Sequence, residues 1–198
     1  MEYNTFLAIT GKVLNHAIKY APAQKKKKAA IYQEYKTILS RASDIGAHNM
    51  LLSSYALAAY FIAMCRHTGL TPEDNYQLME KMISTSSLPK LLLGNSEQYF
   101  SDKKMEQRRV WSKETHQHRY QNDWVVDVLE GSGDYDFGLD YTECGVCKLC
   151  RDEGCFELAH YLCKLDFLLV EVVGAKLVRT ETLADGGDKC DFRFYKNK

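Results

Sequence analysis

All but one of the chain's 7 cysteines fall between Cys144 and Cys190, and four form a single run, Cys144-x2-Cys147-x2-Cys150-x4-Cys155. Thiolates this close together hold zinc or part of an iron–sulfur cluster. The run departs from both patterns. A structural zinc site pairs two knuckles set further apart, and a ferredoxin-like run closes with three intervening residues and a proline. On a helix, cysteines three apart also drift around the axis instead of converging. Metal ligands, buried thiols and a redox pair stand as alternative readings, because free cysteine also packs as a small hydrophobe.

A quieter constellation follows: His160-x2-Cys163-x2-Asp166. On a helix these three positions span an arc of roughly 120° on one face. Asp166 interrupts the apolar stretch 162–170. An ionised carboxylate there needs a partner or a raised pKa. Arg179, in the segment Leu177-Val178-Arg179-Thr180, is the natural partner, and Cys190 opens the final strand. Two thiols, a carboxylate, an imidazole and a guanidinium meeting at one end of a sheet support nucleophilic attack. The plainer reading is a buried Asp–Arg pair among core thiols. Zinc held by His160, Cys163, Asp166 and Cys190 is chemically admissible, although three ligands on one rigid helix seldom aim at one ion.

Other candidates fall away. His116-x-His118 lies on a polar helix with Arg108, Arg109 and Arg119. Two residues apart, the histidines do not share a face, and this reads as solvated surface. Asp134, Asp136 and Asp140 read as the solvent face of a hairpin and not as a hard-cation site. Gly131-Ser132-Gly133 is a turn with no helix after it, so it is no phosphate loop. No Gly-x-Ser-x-Gly elbow is present.

The elements that must position these groups change character near residue 120. Before it the apolar period is helical. Phe6, Ile9, Val13, Leu14, Ala17 and Ile18 make one stripe, and Ile31, Tyr35, Ile38 and Leu39 another after a lysine-rich start. Residues 49–65 are the most apolar segment and predict a central helix. Thr71-Pro72-Glu73-Asp74 predicts a capped start for a helix carrying Tyr76, Met79, Met82 and Ile83. A short segment at 88–93 precedes a polar helix over 97–119. Beyond 120, Trp124, Val126 and Val128 alternate, as do Tyr135, Phe137, Leu139 and Tyr141. The pattern predicts a hairpin, a helix over 146–170, a strand over 176–183 and a last strand over 190–195. The expected fold is α+β: residues 1–198 as one domain, a helical portion 1–120 packed on a four-stranded antiparallel sheet formed by 121–198, with an intervening helix.

Net charge is zero, which excludes a whole-chain electrostatic case for nucleic acid. The two portions differ: residues 1–120 carry 17 Lys and Arg against 10 Asp and Glu, and the remainder carries 9 against 16. Mutual attraction of the two portions is the simplest meaning. No signal peptide pattern opens the chain, and no apolar run reaches the ~18 residues a membrane span needs. A cytoplasmic protein with free thiols is expected.

The ordered elements Leu162-Cys163-x2-Asp166, Leu177-Val178-Arg179-Thr180-x-Thr182-Leu183-Ala184-x-Gly186 and Asp188-x-Cys190-Asp191-Phe192-x-Phe194 resemble the L-2-amino-thiazoline-4-carboxylic acid hydrolase family. Cys147, Cys150 and Cys155 are not part of that pattern. A more distant similarity is to vinyl-reductase-type small-molecule-binding domains, which implies a non-enzymatic sensor of a small molecule or metal as the alternative. The family resemblance implies hydrolysis at an amidine-type carbon between nitrogen and sulfur, as in ring opening of 2-amino-thiazoline-4-carboxylate to N-carbamoyl-cysteine. It implies a small-molecule substrate and no cofactor, with neither nucleic acid nor membrane as a partner. On this reading Cys163 or Cys190 attacks, and Asp166 protonates the amidine or orients water. His160 assists, and Arg179 with Thr180 binds the substrate. A non-covalent route, with Asp166 as base on water, is the alternative mechanism.

Overall fold

The computed structural model describes residues 8, 10–15, 18, 22–41, 51–85 and 94–197. The expected segment 88–93 and the positions Phe6, Ile9 and Ala17 lie outside them. The lysine-rich stretch is a 3-10 turn, Pro22–Lys27, feeding helix α1, Lys28–Arg41, which buries Ile31, Tyr35 and Ile38 at helical spacing. Helix α2, Leu52–His67, is buried without a break from Tyr55 to Met64. A helix apolar all round belongs in the middle of a fold, and α1 and the helices Pro72–Ser84 and Gly145–Asp152 surround it.

Helix α3, Pro72–Ser84, starts as its sequence predicts. Thr71 Oγ1 accepts from the Asp74 N–H at 3.1 Å, Pro72 occupies the first turn, and Glu73 and Asp74 face the positive helix end. The expected polar helix over 97–119 is two helices, α4 (Ser96–Tyr99) and α5 (Asp102–Thr115). Ser101 between them supplies a new N-cap, accepting from the Lys104 N–H at 3.4 Å. Asn95 and Gln98 close a capping box on α4.

Strands β1 (Val125–Glu130), β2 (Phe137–Glu143), β3 (Ala175–Val178) and β4 (Cys190–Lys196) form an antiparallel sheet in the order β1-β2-β4-β3. Register pairs Tyr141 with Cys190, Leu139 with Phe192 and Leu177 with Phe194. The helical portion packed on a four-stranded antiparallel sheet is the α+β architecture read from the sequence. One hydrophobic cluster runs from Leu14 through α2 to Phe194. Basic side chains of the first portion meet acids of the second: Arg41 and Arg66 on Glu153, and Arg109 on Glu130.

Two further boundaries and the placement of Asp140 differ from the expected ones. The helix over 146–170 is broken into α6 (Gly145–Asp152) and α7 (Ala159–Val172), joined by a 3-10 turn, Phe156–Leu158. Gly154 sits at φ +67°, a left-handed stop that glycine adopts without cost, and the Cys155 N–H returns to the Cys150 carbonyl at 2.8 Å. The strand over 176–183 ends at Val178. The Asp191 carboxylate captures the N–H groups of Thr180 and Glu181, both at 2.8 Å, and pulls the chain off the ladder. Asp140 is not on a solvent face: it is 9% exposed, clamped by Lys189 at 2.5 Å and Arg193 at 2.6 Å from the β4 side. No helix among the described residues is long and apolar enough to cross a membrane.

Candidate active site

A cavity of about 190 Å³ lies between the sheet and helices α2, α5 and α7. Cys144, Cys163, Asp166, Arg179 and Cys190 all line it, together with Arg108. It exceeds the ~150 Å³ apolar cavity that takes up benzene, so a five-membered ring with small substituents is of the right size.

Helix α7 presents Cys163 and Asp166 one turn apart on the cavity side. Arg179 reaches back from just beyond β3. Its Nη1 donates to Asp166 Oδ2 at 2.8 Å and its Nη2 to the Cys163 carbonyl at 3.0 Å. The guanidinium is clasped between Phe167 and Phe192, 5.0 and 4.9 Å from the ring centres. The early end of β3 therefore has a use. By leaving the ladder after Val178, the chain frees Arg179 to turn towards α7.

Burial pushes the Asp166 carboxyl up to about 6 despite the opposing charge and hydrogen bond of Arg179. Its side chain keeps 29% exposure, so the acid is screened from bulk water but not sealed. Such a group holds and gives up a proton near neutrality. The two expected nucleophiles are in the opposite condition. Burial, reinforced by Asp166, drives the Cys163 thiol far above its ordinary range. Burial also pushes Cys190 up to about 12, although its sulfur accepts the Leu183 N–H at 3.2 Å. Both are protonated thiols in the cavity wall.

His160 and Thr180 lie outside the cavity lining. His160 is at the outer end of its helical arc, half exposed, with Nδ1 2.6 Å from Asp185 Oδ1. Thr180 donates its hydroxyl to Asp191 Oδ2 at 2.6 Å, as part of the lock that ends β3. The four-cysteine run splits as well. Cys144 lines the cavity, whereas Cys147 and Cys150 are buried in the core behind it and Cys155 caps the 3-10 turn. No three His, Cys, Asp or Glu side chains among the described residues are placed to share one metal ion. With His160 turned to Asp185, the admissible zinc set His160, Cys163, Asp166 and Cys190 does not converge.

The structure adds a residue that the sequence reading assigned to solvated surface. Arg108 is 4% exposed. Its Nη1 donates to the Tyr99 carbonyl at 2.9 Å and lies 3.4 Å from Met105 Sδ. The guanidinium is 4.6 Å from the Tyr99 ring and 4.4 Å from that of Phe137. Among the described residues no carboxylate pairs with it; Glu106, the acid nearest in sequence, pairs with Arg109, as does Glu130 of β1. One turn on, the Trp111 indole N–H is buried with no acceptor among the described residues. A signal was present: Met105, Arg108, Trp111 and Thr115 recur at helical spacing and form the buried face of α5.

The family model for L-2-amino-thiazoline-4-carboxylic acid hydrolase matches residues 49–194. The chain belongs to this family. The match reaches back through α2 and α5, so Arg108 and the whole cavity of this ATC-hydrolase-family protein fall within it. The family name is that of a hydrolase. No curated protein and no solved structure matches the chain.

Proposed function

We propose that this protein hydrolyses a small carboxylated amidine in which the reacting carbon lies between nitrogen and sulfur, as in opening the 2-amino-thiazoline-4-carboxylate ring to N-carbamoyl-cysteine. The observation that carries the reading is one cavity joining Asp166, a carboxyl with its pKa near 6, to a buried guanidinium that has no counter-ion among the described residues. The two cations of the cavity are not equivalent. Arg179 is already paired with Asp166, whereas Arg108 has no carboxylate partner among the described residues. A carboxylate is the partner that a guanidinium fork satisfies in two places at once. Arg108 therefore anchors the substrate carboxylate, and Lys104, one turn earlier on α5 and also in the lining, adds to the field.

With the carboxylate on α5, the ring extends towards α7. Asp166 in its acid form protonates the departing ring sulfur or the amidine nitrogen. As a carboxylate it takes a proton from the entering water. Arg179 orients Asp166 and keeps the ionised form accessible. Cys163 and Cys190 shape the wall. No cofactor enters these steps.

The test is to incubate the purified chain with 2-amino-thiazoline-4-carboxylate and follow N-carbamoyl-cysteine by chromatography with mass detection. Turnover that drops ~10²–10⁴-fold in Asp166→Asn supports the reading. Absence of turnover with this ring and with a panel of carboxylated cyclic amidines overturns it.

A further inference from the structure

Cys144 differs from the other thiols of the cavity by its position in the fold. Strand β2 ends at Glu143 and helix α6 begins at Gly145, so Cys144 is the N-cap, in extended backbone at φ −127°, ψ 117°. Its sulfur therefore lies at the positive end of a helix of 8 residues. The abrupt start depends on Gly145: a Cβ there would meet the Asn122 carbonyl at 2.7 Å and the Trp124 ring at 2.8 Å. Cys147 stands at the third helical position, where a side chain folds back on its N-cap. One sulfur of this Cys-x-x-Cys pair lines the cavity, and the other, 2% exposed, is packed behind it.

Cys147 stands one helical turn on from Cys144, and the Cys147 and Val146 amides add positive field. These hold Cys144 below the ordinary thiol range against burial and against Asp166, although no well-aligned cap hydrogen bond forms. Cys147 is driven strongly upward in turn. The titratable groups that share this field are Asp166 and Cys163 on α7, Cys190 on β4, Tyr141 on β2 and Cys150 on α6.

A separate observation says that something is meant to occupy the space in front of Cys144. Arg108, 4% exposed and without a carboxylate among the described residues, and Trp111, whose buried indole N–H has no acceptor among them, line the same cavity. They are donors awaiting an anion, placed on a different element from the thiol.

We propose that Cys144 is the attacking nucleophile of this cavity, backed by Cys147, towards a carboxylated amidine seated on Arg108. The reaction written for it rests on the hydrolase reading above; the reactivity of the thiol does not. The Cys144 thiolate adds to the ring carbon between sulfur and nitrogen. The bond from that carbon to the ring sulfur then breaks, and Asp166 protonates the departing sulfur. This leaves an S-linked isothiourea on Cys144 and an open chain with a free thiol. Water next attacks the isothiourea carbon, giving its proton to Asp166. The Cys144–carbon bond breaks, and the thiolate returns to its place at the helix end. The sum is substrate plus water to the carbamoyl product, with no oxidant or reductant consumed. Attacking and leaving groups are both sulfur, so the first step is nearly balanced in free energy.

Two measurements on the full chain test this. The first is iodoacetamide labelling across pH, read peptide by peptide. Cys144 is expected to react at least about tenfold faster than Cys163 or Cys190 at pH 7, as a lowered thiol pKa dictates, and Cys147→Ser should shift its midpoint upward. The second is turnover of 2-amino-thiazoline-4-carboxylate, with the intact mass recorded after acid quench. Cys144→Ser is expected to lose about 10³-fold or more and to lose the substrate adduct seen in the parent chain. Labelling of Cys144 no faster than of Cys163 and Cys190 overturns the proposal, and that arm needs no variant to fold. Turnover by a folded Cys144→Ser within tenfold of the parent chain also overturns it, while leaving the hydrolase reading intact. Fast selective labelling in a chain that does not turn over the thiazoline has the reverse meaning: the nucleophile stands and the assigned reaction falls.

Discussion

Replacing Arg108 by Met separates binding from folding in this cavity. The side chain is 4% exposed, so its charge has left water, at a cost of several kcal/mol for an unpaired ion. The fold returns part of that cost. The charge-assisted bond to the Tyr99 carbonyl contributes about 1.5–3 kcal/mol. The contacts with the Tyr99 and Phe137 rings add about 1–2 kcal/mol each. Cost and return nearly cancel, and methionine refills most of the volume beside Met105. The variant is therefore expected to melt within about 5 °C of the parent, the shift that 1–2 kcal/mol produces in a chain of this size. The effect on substrate is of another order. Removing one partner of a desolvated charge pair costs about 2–5 kcal/mol, which is about 30-fold to a few thousand-fold in KM. The assay compares the thiazoline carboxylate with its uncharged carboxamide under steady-state conditions, beside thermal melts. The parent chain should prefer the carboxylate strongly, and Arg108→Met should treat both alike. A variant that keeps the preference shows the carboxylate is held elsewhere, and one that melts more than 10 °C lower shows the guanidinium to be structural. Either result refutes the anchoring argument.

Asp166 titrates in the fold at about 6 against an ordinary 3.8. Its raised value favours the protonated native state, so this contribution is complete below pH 4 and is lost as pH rises through 6. Unfolding free energy relative to Asp166→Asn should fall by roughly 1–3 kcal/mol between those limits, read by denaturant titration at each pH. In the same variant kcat/KM should lose the limb that falls above pH 6 in the parent. Glu153, 6% exposed on its side chain, binds Arg41 at 2.6 Å and Arg66 at 2.8 Å and ties α6 to α1 and α2. Glu153→Gln should lower stability by about 2–4 kcal/mol in urea melts while turnover per folded molecule below the transition stays unchanged.

Where local chemistry decides structure, the sequence was legible. Thr71-Pro72-Glu73-Asp74 contains its own helix start, and the alternation at Phe137, Leu139 and Tyr141 contains a strand. Helix ends that depend on a single left-handed residue, such as Gly154, were hidden inside an apolar pattern that continues on both sides. The meeting of Cys163, Asp166, Arg179 and Cys190 around one cavity was readable because α7 and β4 each place their residues by a simple period. His160 was misleading for the same reason. A helical arc of 120° has two ends, and spacing alone does not say which end turns outward. Arg108 was missed because α5 is polar on average, and its buried face shows only when arginine is allowed a place between Met105 and Trp111. Thr180 belongs to the motif that resembles the family, yet the Asp191 lock that uses it is visible only in three dimensions.

Buried polar groups elsewhere in this fold show how the chain treats charge that serves structure alone. Asp140 has a cation on each oxygen, Lys189 and Arg193. Glu153 accepts from two arginines. Asp191 holds two amides and a hydroxyl. Each such group is surrounded until its hydrogen-bonding capacity is used, which is what burial demands. The cavity breaks that habit on three different elements. α5 supplies a guanidinium without an acid and an indole N–H without an acceptor among the described residues, α7 a carboxyl poised near neutrality, and the start of α6 a thiol below its ordinary range. A structural role for Arg108 and Trp111 would be served better by apolar residues, since unpaired buried polar groups cost stability and repay none of it. These two share a deficit of acceptors beside a space large enough for a ring, in front of an acid and a thiol. On the proposed reading, a small anion supplies what is lacking, with its carboxylate on Arg108 and its electrophilic carbon in front of Cys144 and Asp166.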